Sequence, residues 1–335
     1  MHRNLKDYLV ISLKGMAMGA ADAVPGVSGG TIAFISGIYE ELISTISGIN
    51  LSLFKTLKNE GFASFWKQLN GSFLVALLTG IIVSFVSFMR VAKYLLEHHP
   101  VLIWSFFFGL IIASIFFVGK QINKWNIATI ISLILGAALA FYITTLPSLN
   151  SNNSPWFLFF AGAIAICAMI LPGISGSFIL VILGAYKTLS DAFHDFDFKK
   201  IALFAVGALV GLLSFSHLLK WLFKNFHNTT LAVLTGFIFG SLNKVWPWKL
   251  TATILEKETG HIIPFSDVSN LGTLAIYEKQ TQITEVYKTV TELSTMPAVY
   301  AKMNQVDSHV ISAIALMIFG FFTIFILEKL GTKKS

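Results

Sequence analysis

Long apolar runs separated by short polar links organise this chain. Six of them, residues 71–96, 100–118, 126–147, 200–222, 229–246 and 307–327, approach or exceed the roughly 20 mostly apolar residues with which an α-helix crosses a hydrocarbon layer. Two further apolar segments, 15–48 and 158–190, are interrupted in the middle by glycine and proline and read as pairs of half-length helices joined by an irregular turn. Lipid cannot satisfy the free N–H and C=O groups of such a turn, so protein or a polar cavity must surround it. The pattern predicts an all-α polytopic membrane protein with two re-entrant hairpins and six spans.

The hairpins resemble each other. Pro25-Gly26-Val27-Ser28-Gly29 recurs as Pro172-Gly173-Ile174-Ser175-Gly176, an offset of 147, and the match continues through Gly37 and Gly184, Tyr39 and Tyr186, and Leu42 and Leu189. At an offset of 131, Gly80 falls on Gly211, Lys93 on Lys224, Phe106 on Phe237 and Gly109 on Gly240. A weaker third block places Gly136 on Gly320. Residues 1–147 and 155–327 are therefore expected to form two repeats within one membrane domain, each a hairpin followed by three spans, with 248–305 an insertion in the second. Three crossings per half is odd, so the second repeat enters with inverted orientation.

Charge bears on this orientation. With the N-terminus inside, the links near Lys55, Lys58 and Lys67, near Lys120 and Lys124, near Lys220 and Lys224, and the tail with Lys329, Lys333 and Lys334 all face the cytoplasm, as the positive-inside rule requires. The chargeless 147–156 link, the acidic 191–197 turn and the mixed-charge insertion face the other side. Residues 1–14 lack the form of a removable signal and are expected to stay as a cytoplasmic or interfacial segment. The insertion reads as a surface cap with a helix-like run over 282–292, and Trp246 and Trp248 as interface anchors. Only 12% of the 335 residues are charged and 55% are hydrophobic, against roughly 25% charged in a soluble domain. The net charge of +7 is spread over short links, without the clustered basic and aromatic residues of a nucleic-acid surface. Cys167, the single cysteine, reads as packing, and no spacing of His, Cys and carboxylate resembles a metal site. No cofactor is expected, and the pattern leaves the oligomeric state open.

Chemistry concentrates in the hairpins. Pro25, Gly26, Ser28, Gly29, Gly30 and Thr31 in the first, and Pro172, Gly173, Ser175, Gly176 and Ser177 in the second, place small residues, hydroxyl donors and a fresh helix start in apolar surroundings. Free N–H groups and hydroxyls favour an anion there; small residues that let helices pack closely are the alternative. Asp22, matched by Met169, is either a proton-exchanging carboxylate or a local cap for a buried donor. Arg90, Lys93, His217, Lys220 and Lys224 either snorkel to headgroups or attract an incoming phosphate, Arg90 being best suited by its bidentate fork.

Together, the run from Gly19 through Asp22 and Pro25 to Thr31, the Gly37-Ile38-Tyr39-Glu40 and Leu171–Phe178 segments, and Gly240-Ser241-Leu242 with Trp246-Pro247-Trp248 resemble the PopT-type polyprenyl-phosphate transporters, long described as a domain of unknown function. The likeness covers nearly the whole chain except 248–305. It implies a protein of the bacterial plasma membrane that returns undecaprenyl phosphate, the lipid carrier of wall polymers, from the outer to the inner leaflet. The hairpin residues and Arg90 would then bind the phosphate, with the tail left among membrane lipids. A transporter of a small soluble anion is the alternative. A lipid-phosphate enzyme is disfavoured, because Ser-Gly is followed by Gly30 or Ser177 and never by the His that such chemistry needs.

Overall fold

The computed structural model describes residues 3–22, 28–146, 154–256, 259, 261–267 and 286–331. Pro25, Gly26, the 147–153 link, Lys333 and Lys334, all named above, lie outside them. The first hairpin comprises α1 (Leu5–Asp22), α2 (Gly29–Ile35) and α3 (Tyr39–Ser47), followed by α4 (Leu51–Gln68), α5 (Gly71–His98), α6 (Pro100–Gly119) and α7 (Ile127–Thr145). The second comprises α8 (Pro155–Ile170), α9 (Gly176–Ile182) and α10 (Tyr186–His194), followed by α11 (Phe198–Asn225), α12 (His227–Gly240) and α13 (Leu242–Val245). Strands β1 (Lys249–Glu256), β2 (Ile262–Pro264) and β3 (Tyr287–Ser294), helix α14 (Pro297–Asn304) and the last helix, α15 (Val310–Gly331), complete the order.

Local chemistry sets several helix starts. Asn4 and Asp7 bond reciprocally at the start of α1, Asn126 and Thr129 form a capping box on α7, and Pro100 and Pro155 occupy first-turn positions where a missing N–H costs nothing. Each short arm ends on a left-handed glycine, Gly37 at φ 72° and Gly184 at φ 71°. The residue after each returns its N–H to the helix, Ile38 to the Ala33 carbonyl and Ala185 to that of Leu180, a termination that favours a residue without Cβ.

Among the described residues α5, α6, α7 and α11 are long and apolar enough to cross a membrane, and shorter apolar stretches occupy 156–170 and 310–325. Outside the hairpins, α6 and α12 carry the most buried faces. The others leave Ile82, Val86, Ile134, Leu135, Leu209, Ile318 and Phe322 exposed, a surface suited to lipid as solvent.

Close backbone contacts pair the helices. Helix α1 lies along α5, and α8 along α11; α6 packs on α15, and α7 on α12. Glycines matched in sequence sit at these contacts. A Cβ at Gly80 would strike Ser12 of α1, and one at Gly211 would strike Ala163 of α8. Likewise Gly109 abuts Met317 and Gly240 abuts Ala137, while Gly136 abuts Val233 and Gly320 abuts Phe106.

Several expectations need correction. The segment before Lys14 is not separate, since α1 begins at Leu5. The first arms, α1 with 18 residues and α8 with 16, rise about 27 and 24 Å, more than half a bilayer; only the second arms are short. The 229–246 run is two helices, because at Ser241 the hydroxyl bonds the Ile238 carbonyl and Gly173 presses against Phe237 and Ser241. Residues 51–68, expected as a link, form α4 with a break at Gly61.

The helix-like run over 282–292 is strand from Tyr287 onward, where Thr289, Val290 and Thr291 favour extended backbone; residues 282–285 lie outside the described set. Strand β3 pairs antiparallel with β1 in a sheet of order β2-β1-β3. Trp248 is buried against Val101, Tyr300 and Ala313 and donates to the Ser308 carbonyl at 2.8 Å, while Trp246 donates to Thr295. These rings fasten the insertion to the helices.

Candidate functional site

The two hairpins meet. Ser28 caps α2 in extended backbone, its hydroxyl accepting from the Gly30 N–H at 3.1 Å. The adjacent Gly29 N–H donates to the Asp22 carboxylate at 2.6 Å, and that of Thr31 to the Ser28 carbonyl at 2.9 Å. The first turn of α2 is thus satisfied from within its own hairpin. Asp22 acts here as the local cap, one of the two roles its position allowed.

Three bonds cross to the second hairpin. The Gly173 N–H donates to the Thr31 hydroxyl at 3.0 Å. The Ser28 hydroxyl donates to the Met169 carbonyl at 3.4 Å, and the Tyr39 hydroxyl to that of Ile170 at 3.2 Å. The last carbonyls of a helix have no partner within it, so residues of the first hairpin satisfy the broken end of α8. The approach demands small residues: a Cβ on Gly30 would lie 2.7 Å from the Ile170 oxygen, and Gly173, at φ 88°, faces Phe237 equally closely.

The two motifs differ in access. Ser28 is 3% exposed and Thr31 1%, whereas Ser175 is half-buried and Ser177 exposed. The Ser175 and Ser177 hydroxyls lie 2.9 Å apart. Pro172 is buried, and Gly176 sits against the Ala165 carbonyl. A cavity of about 10 Å³, room for a single water, is lined by Thr144, Gly173, Ser175, Phe178 and Lys244. Arg90 lies exposed on α5, outside these contacts. His217 borders a broad open groove with Asn50, Ser52 and Ser214.

Sequence reasoning missed three side chains. Tyr39 matched Tyr186 as a repeat marker, but its bond to α8 required the fold. Lys14 is buried in α1 and donates to the Ser36 carbonyl at 2.7 Å, tying the arms of the first hairpin. Lys244 sat unremarked inside an expected span; a cation so placed in an apolar run was the available signal. At the open end of the same hairpin, Arg3 makes a two-pronged bond to Glu41, 2.7 Å at each contact, and Asn70 joins it at 2.9 Å.

Helices long and apolar enough to cross a bilayer, packed with two broken hairpins bonded to each other, define a polytopic all-α membrane protein. The chain belongs to the undecaprenyl phosphate translocase-like family, whose pattern it matches over residues 18–263. It is similar to the polyprenyl-phosphate transporter of Vibrio cholerae serotype O1, with 46% identity over 258 residues, covering 77% of this chain and 84% of the relative. The polyprenyl-phosphate transporter of Staphylococcus aureus is 35% identical over 253 residues, covering 70% of this chain and 85% of that one. No solved structure matches.

Proposed function

We propose that this chain is a transporter of polyprenyl phosphate that returns undecaprenyl phosphate from the outer to the inner leaflet of the bacterial plasma membrane, with both termini cytoplasmic. The observation that carries this reading is the crossing of the two hairpins at Thr31 and Gly173, in a chain whose relatives are named as polyprenyl-phosphate transporters. A phosphate head on a long apolar tail needs a polar path only for the head, and the serine, threonine and glycine tips supply hydroxyls and close backbone approach along it. The tail stays in lipid.

Two inverted halves working by alternating access fit the packing. Sequence-matched glycines occupy matched contacts, and the partners are exchanged between halves, α6 with α15 and α12 with α7. In the arrangement described, the second motif is the accessible one, and the first is closed by Asp22, Ser28 and Thr31. Passage of the head to the first motif requires the Thr31 to Gly173 and Ser28 to Met169 bonds to open. Asp22, bonded to Gly29 within the first hairpin, becomes free to exchange a proton when the head also displaces that bond.

The test is uptake of undecaprenyl phosphate by the purified protein in proteoliposomes. Ser28→Ala combined with Ser175→Ala lowers uptake by about tenfold or more, since hydrogen bonds to a charged group contribute about 1.5–3 kcal/mol each. Unchanged uptake removes the binding assignment. Equal uptake of soluble phosphate would favour a small-anion carrier instead.

A further inference from the structure

Helix α13 and the insertion build a cluster that the hairpin reading does not use. The Lys244 ammonium lies 4.8 Å from the centroid of the Phe178 ring, and Phe178 directly follows the Ser175-Gly176-Ser177 turn. Lys244 and Ser175 line the same small cavity. Behind Lys244, Lys249 donates to the Lys244 carbonyl at 2.6 Å and sits 3.9 Å from the centroid of the Trp104 ring. Both ammonium groups contact one carboxylate, Glu292 of β3, each at 3.3 Å.

Two cations therefore share a single anion. The Lys249 side chain is only 6% exposed, and those of Lys244 and Glu292 are 20% and 24% exposed. Burial opposes charge on Glu292, yet Lys249 and Lys244 outweigh it and hold the carboxyl down at about 2. Glu292 is thus ionised at neutral pH, and among the described residues it is the one carboxylate paired with either lysine. A cation that shares its counter-charge in partly dry surroundings attracts an anion far more strongly than one in water. Lys244 is the member of the pair that shares the small cavity with the half-buried Ser175 hydroxyl.

We propose that Lys244 receives the phosphate monoester head at the second motif, with Ser175 and Ser177 donating to the same head and Glu292 holding the ammonium between loads. This rests on the reading of the chain as a polyprenyl-phosphate transporter. It also assigns the insertion a part in the site, because β3 carries Glu292 and is fastened to α13 by the Ser294 hydroxyl, 2.7 Å from the Asn243 side chain. The cavity holds about one water, so the head must displace the Phe178 ring from Lys244. The cation then exchanges a ring face for a charged oxygen.

The experiment measures binding of undecaprenyl phosphate, of undecaprenol and of inorganic phosphate to the full chain in nanodiscs, for wild type, Lys244→Gln and Lys244→Arg. Lys244→Gln is expected to weaken undecaprenyl phosphate by about tenfold or more, to leave undecaprenol unchanged, and to be rescued to within about threefold by Lys244→Arg. Equal affinity of Lys244→Gln and wild type overturns the assignment and leaves the transport reading standing, because the paired serine substitutions test that separately. A parallel loss of undecaprenol binding also overturns it, since a structural defect would not distinguish the head. Lys244-dependent displacement by millimolar inorganic phosphate retains the anion site but identifies soluble phosphate as its source. Failure of the wild type to bind the lipid overturns both readings.

Discussion

The Thr31 hydroxyl accepts the backbone N–H of Gly173 at 3.0 Å, joining the two hairpins in surroundings where Thr31 is 1% exposed. Thr31→Val keeps the shape and removes the acceptor, leaving the half-buried Gly173 N–H without its partner, which costs about 1–3 kcal/mol. Thr31→Ser keeps the oxygen and is expected to fall near wild type. Thermal unfolding in detergent separates the two, and Val equal to Ser would mean that the bond contributes nothing.

Gly30 and Gly119 offer a contrast in the cost of one methyl group. At Gly30 the added Cβ would lie 2.7 Å from the Ile170 oxygen, whereas at Gly119 nothing lies within 4 Å. Gly30→Ala should destabilise by about 1–3 kcal/mol and lower uptake, because α8 must move away from α2. Gly119→Ala, at the end of α6, should be neutral or stabilising by up to about 1 kcal/mol. Denaturation midpoints for the pair check both.

Asp22 accepts the Gly29 N–H at 2.6 Å, and an asparagine oxygen can accept the same bond. Asp22→Asn therefore keeps the fold while removing the exchangeable proton. If that proton drives transport, uptake in liposomes responds to an imposed pH gradient for wild type and not for the variant. The same response from both ends the proton role.

The insertion should carry a pH signature of its own. The Glu292 carboxyl, held at about 2 against about 4.3 in an unfolded chain, adds stability that is complete above the unfolded value and lost as pH falls through the folded one. Burial pulls the Lys249 amine down to about 8, against the opposing charge of Glu292. Between there and about 10.4 the folded state holds fewer protons than the unfolded one, so stability rises with pH. Tryptophan emission, followed through Trp246 and Trp248, should report loosening between about pH 4 and 2 and tightening between about 8 and 10; Glu292→Gln should abolish the acid limb.

Much of this was legible in the chain itself, for physical reasons. Runs such as 71–96 and 200–222 are long and apolar, and they became α5 and α11 with only their ends extended. Gly37 and Gly184 were matched only as repeat markers, and both prove to be left-handed turns, because such a turn leaves few residues to choose from. What could not be read depends on partners distant in sequence. Leu5–Leu13 looked like a separate cytoplasmic or interfacial segment because its merger with α1 is settled by packing on α5, and Tyr287–Glu292 looked helical because its strand is decided by pairing with β1. Lys244 was passed over for the same reason, since its carboxylate lies at 292 and the hydroxyl that shares its cavity at 175.

Helix α6 finds its closest partner in α15, and α7 finds its own in α12. During synthesis the first half therefore emerges with two glycine-notched faces open to lipid, at Gly109 and Gly136. The Gly136 face is covered when residues 227–240 arrive, and the Gly109 face only when the last helix does. Residues 1–145 and 155–331 are clasped rather than juxtaposed, and α15 must be made before α6 has its full set of neighbours.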